Sequence, residues 1–305
     1  TSNSLNFYEK LEKFLFMRKG IILAGGLGSR LAPITFGTSK QLLPIFNKPM
    51  IYYPLTTLMQ CDIKEFLIIT NPREIDQFKN LLGNGEEWGI SITYQIQKKP
   101  NGIAEAFILG EKFIGSNSVA LILGDNLFYG EEFLSKLSEA NSEKSATLFA
   151  YPVNEPERYG VVEFDKNNKI TKIVEKPKSP KSKFAITGLY FYDNEVIEIS
   201  KKLVPSRRGE LEITDVNNIY LKKNQLSVKL LERGTAWLDT GTFNSLHEAG
   251  SFIKTLENRQ GLRIGYPEEV AWRKGLISKK QFQKLVEKVS KNEYGLYLKK
   301  ILDNT

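Results

Sequence analysis

A glycine-rich loop directly after an apolar run is the part of the sequence best suited to chemistry. Residues 20–24 are apolar and predict a buried strand, and Gly25, Gly26 and Gly28 follow them before Arg30. Glycine lets backbone N–H groups approach a ligand closely, and a loop of such donors suits phosphate oxygens. An ordinary strand-to-helix turn could use the same glycines, but it would not explain the charges that follow.

The residues after this loop carry cations and no acids. Between Ser29 and Cys61 there is no Asp or Glu, whereas Arg30, Lys40 and Lys48 are present. A Rossmann dinucleotide loop has a third glycine and, about 20 residues on, an acidic residue for the ribose, and both are missing here. The Gly-Lys-Ser or Gly-Lys-Thr of a Walker loop is missing too. The segment is therefore predicted to bind a polyanion by neither motif, and a hydride-transferring dehydrogenase is disfavoured.

Three further segments place polar side chains at the expected ends of elements. Asp125 follows an apolar run and precedes Asn126, Asp239 lies in a turn before a predicted helix, and Glu175 precedes Lys176. Two carboxylates from separate elements could jointly hold Mg²⁺, which prefers oxygen ligands. Each aspartate taken alone is explained equally well by ordinary turn chemistry. The predicted metal site therefore depends on their occurrence together with the cationic glycine loop.

Strand-like and helix-like runs alternate through the first half of the chain. Strands are predicted at 20–24, 66–70, 90–97 and 119–124, and helices at 50–61, 74–82, 103–113 and 131–140. This order predicts an α/β fold, with a Rossmann-like, mostly parallel twisted sheet and helices on both faces. Ligands of such sheets bind at the carboxyl ends of the strands, so the glycine loop and Asp125 are expected to face one crevice.

From about residue 146 the pattern becomes mixed. Strands are predicted at 146–151, 160–164, 170–175, 185–192 and 226–231, and helices at about 215–223 and 242–258. Several helices are predicted to close the chain. No repeat, low-complexity linker or sharp domain boundary interrupts it.

Composition limits the class of protein. The 305 residues are 41% hydrophobic and 26% charged, which is typical of a globular chain with one large domain or two modest ones. No apolar run approaches the ~20 residues that span a bilayer, so no membrane partner is expected. One cysteine, Cys61, excludes an intrachain disulfide and favours a cytoplasmic protein. One histidine, His247, excludes a multi-histidine zinc site and leaves a hard cation held by carboxylates.

The formal net charge of +8 is concentrated in two segments. Residues 165–183 carry seven lysines against two acids, and residues 273–300 carry nine basic residues against two acids. Neither segment has the interleaved aromatic residues or recognised modules of a nucleic-acid-binding protein, so no nucleic-acid partner is predicted. We interpret the C-terminal charge as solvated helix faces and the charge of 165–183 as partly functional.

Residues 1–17 stand apart as an N-terminal extension. Their apolar and charged residues alternate in the pattern of a short amphipathic helix. They lack a basic start and a cleavage motif, so a secretory signal is not expected.

Five motifs give the chain a resemblance to the sugar-phosphate nucleotidylyltransferases. The glycine loop matches the signature of that family over residues 23–31, with Ser29 where threonine is usual. The other matching segments are 39–44, 48–54, 156–162 and 209–215. The resemblance covers essentially everything after Arg18 and implies one nucleotidyltransferase domain over 18–305. Its implied parts are a nucleotide-binding half at about 18–145, a sugar-phosphate-binding half at about 146–245 and C-terminal helices at about 246–305.

The resemblance also implies a reaction. An oxygen of a sugar 1-phosphate attacks the α-phosphorus of a nucleoside triphosphate, and pyrophosphate leaves. The implied substrates are dTTP and glucose 1-phosphate, the product is dTDP-glucose, and the step is the first in the synthesis of dTDP-sugars such as dTDP-rhamnose. Mg²⁺ is the implied cofactor. A homotetramer with feedback inhibition by a dTDP-sugar, at a second site between subunits, is implied as well.

Roles for individual residues follow from the same resemblance. The implied catalytic residues are Arg30 at the leaving pyrophosphate, Lys40 near the phosphates, Lys176 at the sugar phosphate, and Asp125 and Asp239 as the Mg²⁺ ligands. The implied nucleotide-binding residues are Leu23, Gly25, Gly26, Gly28, Ser29, Arg30 and Gln41, with Gln97 and Gly102 facing the base. The implied sugar-phosphate-binding residues are Asn126, Tyr159, Gly160, Glu175, Lys176, Thr187 and Gly188.

Some alternatives stay open at this point. A glutamine such as Gln97 offers a donor and an acceptor that suit the imide edge of thymine or uracil. One methyl group discriminates between dTTP and UTP only by roughly 10- to 200-fold, so a uridylyltransferase that uses UTP is an alternative. An enzyme that uses ATP is another. A non-catalytic nucleotide-sugar sensor on the same fold would be expected to lack a metal aspartate or a catalytic cation, and all are present. Lys176 as a turn lysine, Tyr159 as a core aromatic and Gln97 as a strand cap are the simpler interpretations.

Overall fold

The computed structural model describes residues 18–167 and 169–304, and the predicted N-terminal helix at 1–17 lies outside them. The described chain divides into two units. Unit 1 contains residues 18–21, Asn101–Leu121 and Glu139–Leu230, and unit 2 contains Ile22–Pro100, Ile122–Ser138 and residues 231–304.

Strands and helices alternate along most of the described chain. The strands are β1 (Arg18–Ala24), β2 (Pro44–Ile45), β3 (Lys48–Pro49), β4 (Glu65–Thr70), β5 (Ser91–Ile96), β6 (Ser118–Leu123), β7 (Asn126–Tyr129), β8 (Ala146–Pro152), β9 (Gly160–Phe164), β10 (Ile170–Glu175), β11 (Phe184–Tyr192), β12 (Leu226–Leu230) and β13 (Ala236–Asp239). The helices are α1 (Tyr52–Gln60), α2 (Ile75–Leu82), α3 (Glu105–Leu109), α4 (Glu111–Ile114), α5 (Glu131–Ser142), α6 (Glu195–Lys201), α7 (Ile213–Lys222), α8 (Phe243–Gln260), α9 (Pro267–Arg273), α10 (Lys279–Val289) and α11 (Glu293–Asp303). Strands β1 and β6 contribute residues to both units.

The sheet of unit 2 has the order β6, β1, β4, β5. Strands β4 and β5 are parallel, with partners from Glu65 and Ser91 to Thr70 and Ile96. All of β4 after Glu65 is buried, as the continuous apolar run predicts for a strand covered on both faces. Two short ladders accompany this sheet, since β7 pairs with β13 and β2 pairs with β3, both antiparallel.

The sheet of unit 1 is mixed. Strand β9 lies between β10 and β11, and β8 lies between β11 and β12. Strand β12 runs parallel to β8, whereas the β9–β10, β9–β11 and β8–β11 pairs are antiparallel. The β8–β11 register shifts between Ile186 and Tyr190. The mixed pattern predicted from about residue 146 onward therefore corresponds to mainly antiparallel pairing.

The predicted α/β class is confirmed, but the sequence prediction differs from the structure at several elements. The short strands β2 and β3 and helix α6 were not predicted. The predicted helix 103–113 is wrong as one element, because Gly110 separates α3 from α4. Strands β7 and β13 were not predicted, because each is only four residues long. Asp239, predicted in a turn, is instead the last residue of β13.

Within the part of the chain that the structure covers, no helix is both long enough and apolar enough to cross a lipid bilayer. Cys61 is buried, and its Sγ lies 3.7 Å from the carbonyl oxygen of Thr57. The thiol is therefore a core group at the end of α1.

A buried ion cluster joins the β2–β3 hairpin to α8 in unit 2. Lys48 Nζ lies 3.0 Å from Glu257 Oε1, and the two side chains are 1% and 0% exposed. The other carboxylate oxygen of Glu257 accepts from Arg263 Nη1 at 2.8 Å, and the Ile264 N–H donates to Oε1 at 3.0 Å. The Lys48 ammonium also lies 4.5 Å from the centre of the Tyr266 ring. Because the cluster is buried and paired, removing one charge is expected to cost more than breaking a surface ion pair.

Stability should depend on pH through Lys48. Burial lowers the pKa of Lys48 from 10.5 to about 8, against the opposing effect of Glu257. Between these two values the unfolded chain holds the proton and the folded chain does not, so raising the pH favours the folded state. We expect the difference in unfolding free energy, wild type minus Lys48→Met, to rise with pH by at most about 1.4 kcal/mol per unit. Urea unfolding of both proteins from about pH 7.5 to 9.5 measures this difference, and a constant value would contradict the expectation.

Candidate active site

The glycine loop of unit 2 leads into a 3₁₀ turn at Ser29–Leu31. Gly28 has a φ of +61°, and a Cβ there would lie 2.8 Å from Cγ2 of Thr35. At Gly25 a Cβ would lie 2.4 Å from Oε1 of Gln97. Gly28 needs glycine because a side chain would be strained at its positive φ, whereas a Cβ at Gly25 would only displace the end of the Gln97 side chain.

Gly26 is a glycine that local packing does not explain. A Cβ at this position would meet no heavy atom of the described residues within 4 Å, and Gly26 is exposed. A ligand that lies close to the backbone would need this space, and exposed backbone N–H groups suit anionic oxygens. Gly26 is therefore the point of the loop most open to a phosphate group.

Arg30 lies against the segment that follows Asp239. A Cβ added to Gly241 would lie 3.1 Å from Nη2 of Arg30, so the guanidinium rests on the Gly241 backbone. Arg30 is otherwise exposed. This arrangement leaves a planar cation beside the glycine loop, where it can bind an anionic leaving group.

Lys40 and Asp125 form an ion pair in unit 2. The ammonium of Lys40 contacts Oδ2 of Asp125, and the Asn126 amide donates to Oδ1 at 3.0 Å. Burial raises the pKa of the Asp125 carboxyl, but the charge of Lys40 and the hydrogen bonds from Lys40 and Asn126 outweigh it and hold the pKa below its ordinary value. Asp125 is therefore an ionised carboxylate at neutral pH, and its charge is available to a cation.

The pairing of β7 with β13 brings Asp239 to Asp125. Asp239 lies opposite Asn126 in that ladder. The backbone N–H and the hydroxyl of Thr240 donate to the carbonyl oxygen of Asp125 at 3.2 and 3.0 Å. Two aspartates that are 114 residues apart in sequence are thus one residue from each other across a strand ladder.

The donor set fits Mg²⁺. Two carboxylates supply hard oxygen ligands, and Mg²⁺ in phosphate-handling sites is typically held by one or two carboxylates, substrate phosphates and water. No group of three or more His, Cys, Asp or Glu side chains that could hold a metal occurs among the described residues. The chemistry therefore suits an ion that binds together with a phosphate ligand better than a structural metal.

Gln41 and Leu23 pack the ends of the central strands together. The Gly124 N–H donates to the carbonyl oxygen of Leu23 at 2.9 Å, and a Cβ at Gly124 would lie 2.9 Å from Cγ of Gln41. The hydroxyl of Ser39 donates to Oε1 of Gln41 at 2.7 Å. The buried Gln41 side chain is thus held by Ser39 and packs against Gly124, the residue that precedes Asp125.

The segment that carries Lys40 closes on itself. The N–H of Met50 donates to the carbonyl oxygen of Leu43, and the N–H of Ile51 donates to the backbone carbonyl oxygen of Gln41, both at 2.9 Å. The hairpin that contains Lys48 lies within this closed segment, so the buried cluster on α8 also fixes the backbone that carries Lys40.

Trp237 is a positioning residue that the sequence prediction missed. Its indole N–H donates to Oδ1 of Asn126 at 2.7 Å, while the amide of Asn126 donates to Asp125. Asn126 was predicted to bind the sugar phosphate, and in the structure it joins Trp237 to the Asp125 carboxylate. No local signal marks Trp237, because it meets Asn126 only through the β7–β13 ladder.

Unit 1 gathers four of the predicted sugar-binding residues at one end of the β9–β10 ladder. Glu175 lies opposite Gly160, and the N–H of Lys176 donates to the carbonyl oxygen of Tyr159 at 3.0 Å. Lys176 has a φ of +42°, which is unfavourable for a residue with a side chain. Backbone strain of this kind is often found at ligand-binding sites.

The carboxylate of Glu175 is held by two residues to which the sequence analysis assigned no role. Thr214 Oγ1 donates to Glu175 Oε2 at 2.6 Å, and Arg208 Nη2 donates to Oε1 at 3.1 Å. A Cβ at Gly160 would lie 3.4 Å from Oε2 of Glu175. Thr214 belongs to the matched motif 209–215. The sequence therefore marked this segment, but it did not indicate that Thr214 contacts Glu175.

Thr187 and Gly188 lie at the register shift between β8 and β11. Thr187 is fully buried, and its hydroxyl has no hydrogen-bond partner within the described part of the protein. Register shifts are common next to functional sites, and an orphaned buried hydroxyl calls for an explanation. The last predicted ligand residue of unit 1, Gly102, has a φ of +108° and contacts the backbone of Leu211.

Comparison with known proteins identifies similar chains over most of the length. The sequence model of the nucleotidyl transferase family matches residues 19–255. A glucose-1-phosphate thymidylyltransferase of Neisseria meningitidis serogroup A is 55% identical over 285 residues, which are 93% of this chain and 99% of that one. A crystal structure from Bacillus anthracis, described as a glucose-1-phosphate thymidylyltransferase in complex with sucrose, is 45% identical with a TM-score of 0.71 and covers 77% of this chain and 94% of its own. A UDP-glucose pyrophosphorylase complexed with UDP-glucose is 25% identical with a TM-score of 0.69 and covers 79% of this chain and 99% of its own.

Proposed function

We propose a function for this chain from the premise that it belongs to the nucleotidyl transferase family. The family predicted from the motifs is thereby confirmed. The chain transfers a thymidylyl group from dTTP to glucose 1-phosphate, releasing dTDP-glucose and pyrophosphate. The observation that carries this proposal is the convergence of the glycine loop, Arg30 and the paired Lys40 and Asp125 with the strand end of Asp239 in unit 2.

Unit 2 binds the nucleoside triphosphate in this proposal. The phosphates lie on the open backbone at Gly26, and Arg30 neutralises the charge that develops on the leaving pyrophosphate. Gln97, whose side chain rests on Gly25, faces the base. Phosphoryl-type transfer needs mainly positioning and charge neutralisation, which these groups supply.

Asp125 and Asp239 are the residues that would hold Mg²⁺. When bound, the ion neutralises phosphate charge in the ground and transition states. Lys40 keeps Asp125 ionised and holds its carboxylate in place, and its ammonium is a cation that can bind a phosphate group there.

Unit 1 binds glucose 1-phosphate in this proposal. Glu175 accepts a hydrogen bond from a sugar hydroxyl. Lys176, whose side chain is 48% exposed, binds the phosphate. Tyr159 and Gly160 line the sugar pocket, together with Thr187 and Gly188. A phosphate oxygen of the sugar attacks the α-phosphorus of dTTP in line with the leaving pyrophosphate, and no covalent enzyme intermediate is required.

The same proposal extends to context. The nucleotide-binding half consists of residues of about 18–145, and the sugar-phosphate-binding half of residues of about 146–245. The closing helices are residues of about 246–305. The enzyme works in the cytoplasm in the first step of dTDP-sugar synthesis, including dTDP-rhamnose, as a homotetramer inhibited by a dTDP-sugar. Size-exclusion chromatography with light scattering and inhibition assays with dTDP-rhamnose test the last two statements.

A pyrophosphate-release assay with glucose 1-phosphate and each nucleoside triphosphate in turn tests the substrate assignment. We expect dTTP to be used best and UTP to be a measurable secondary substrate, since one methyl group discriminates by roughly 10- to 200-fold. GTP is expected to be a poor substrate.

The alternative is a uridylyltransferase, which the fold shared with a UDP-glucose pyrophosphorylase supports. Competition between equal dTTP and UTP decides between the two. A clear preference for UTP, or for ATP over both, would overturn the thymidylyl assignment and leave nucleotidyl transfer standing. No pyrophosphate release with any triphosphate would point to a non-catalytic sensor.

A further inference from the structure

The matched motif at 209–215 has no role in the reaction proposed above, although it contacts two of the predicted ligand-binding places of unit 1. A tight turn precedes the contacts, in which the Ser206 N–H donates to the carbonyl oxygen of Glu210 at 2.8 Å and the Ser206 hydroxyl donates to Glu212 at 2.6 Å. Helix α7 then begins at Ile213. We refer to residues 209–218 as the bracket segment.

The bracket segment holds both the side chain and the strand of Glu175. Thr214 is buried, and its hydroxyl donates to Glu175 Oε2 at 2.6 Å. One helical turn later, the Asn218 amide accepts from the Ile173 N–H at 3.1 Å and donates to the Ile173 carbonyl oxygen at 2.8 Å. Ile173 lies on β10 two residues before Glu175, so the strand and the carboxylate are both tied to α7.

The bracket segment also holds the backbone around Gly102. The Leu211 N–H donates to the Asn101 carbonyl oxygen at 2.7 Å, and the Ala104 N–H donates to the Leu211 carbonyl oxygen at 3.3 Å. A Cβ at Gly102 would lie 2.4 Å from that same oxygen of Leu211. Gly102 therefore packs closely against the same segment that contacts Glu175 through Thr214.

We propose that the bracket segment positions the base-binding and sugar-binding residues of unit 1 together, and that Thr214 is the positioning residue that orients Glu175 toward a sugar hydroxyl. The proposal rests on the proposed function of Glu175 and on the predicted role of Gly102. The Thr214 hydroxyl has one proton and gives it to Oε2, which limits the directions from which the carboxylate can accept a second donor. Arg208 is a less specific partner, because its guanidinium also pairs with Glu210 and Glu212.

Thr214→Val tests the positioning role, because valine keeps the volume of threonine and removes the hydroxyl. We expect the KM for glucose 1-phosphate to rise by about 10-fold, the size typical of losing one hydrogen bond to a charged group, while kcat and the KM for dTTP change by less than about 2-fold. Thr214→Ser should restore the wild-type KM. Thr171→Val is the matched control, because Thr171 is exposed on the same strand as Glu175 and donates only to the Glu163 backbone.

Deoxy analogues of glucose 1-phosphate distinguish orientation of Glu175 from a general loss of structure. With the analogue that lacks the hydroxyl bound by Glu175, the KM values of wild type and Thr214→Val should become equal. A KM ratio that persists for every analogue would mean a merely structural role and would overturn the proposal, as would a Thr214→Val enzyme with an unchanged KM for glucose 1-phosphate.

Gly102→Ala tests the shared nature of the segment. Its Cβ would displace the Leu211 backbone, so we expect it to raise the KM for both substrates, whereas Thr214→Val raises only one. An effect of Gly102→Ala on the triphosphate alone would show that the two places are held independently. All assays use the triphosphate and sugar phosphate that wild type turns over best, so a failure of the thymidylyl assignment leaves this test intact. If wild type turns over none, crystal structures of wild type and Thr214→Val decide, and an unmoved Glu175 carboxylate overturns the proposal.

Discussion

Replacing Asp125 with asparagine is expected to lower kcat by ~10²-fold or more and to leave the fold intact. Asparagine keeps the shape of the side chain, but it removes the charge that pairs with Lys40 and would hold Mg²⁺. Metal neutralisation of phosphate charge contributes several kcal/mol to the transition state, and each 1.4 kcal/mol is about tenfold in rate. Steady-state pyrophosphate release over a range of Mg²⁺ concentrations measures the loss.

Asp165→Asn is the control for this substitution. Asp165 is an exposed aspartate whose Oδ1 accepts from the backbone N–H groups of Asn167 and Lys169 in a turn. The same chemical change there should leave kcat at the wild-type value. A folded Asp125→Asn enzyme with near-normal turnover at low Mg²⁺ would remove Asp125 from the metal site, and circular dichroism with a thermal melt establishes whether the variant is folded.

The second large effect is expected for Arg30→Ala. We expect kcat to fall by roughly 10²- to 10³-fold, as when a donor to developing negative charge is removed, with a much smaller rise in the KM for glucose 1-phosphate. The reason is that charge builds up on pyrophosphate mainly in the transition state. Kinetics with each substrate varied in turn separate the two parameters.

Arg30→Lys and Arg73→Ala accompany this measurement. Lysine keeps the charge without the planar fork that lies on Gly241, so it should recover only part of the loss. Arg73 is an exposed arginine outside the proposed site, and its replacement should have no effect on kcat. A variant in which only the KM for glucose 1-phosphate rises would assign Arg30 to the sugar site.

Much of the fold could be predicted because burial and turn chemistry are local. Strands β9 and β10 lie at the predicted positions, 160–164 and 170–175, because short apolar runs there are bounded by turn residues. The apolar runs of β1, β4 and β6 were equally clear, because a strand covered on both faces has few polar residues. The need for glycine at Gly28 was also predictable, since a left-handed residue in a tight loop favours glycine wherever the loop occurs.

The candidate site was harder to predict, because its geometry depends on pairing between distant segments. Strands β7 and β13 are four residues each, too short for a periodic pattern, and each is stabilised by the other. The roles of Trp237 and Thr214 have the same origin, since each meets its partner through contacts that no neighbour in the sequence indicates. The motif at 209–215 could be recognised, but not the carboxylate that it holds.

The sequence by itself determined the α/β class, and it predicts a polyanion-binding glycine loop and the set of residues proposed to do the chemistry. These properties follow from the conformational freedom of glycine, the period of apolar residues and the missing acids after Ser29, all of which are written locally in the chain. Only the tertiary structure decided that Lys40 pairs with Asp125, that the β7–β13 ladder brings Asp239 to the same place, and that Thr214 holds Glu175. Such contacts form when distant segments fold together, because hydrogen bonds and ion pairs need atoms within about 3 Å and sequence separation does not specify that distance.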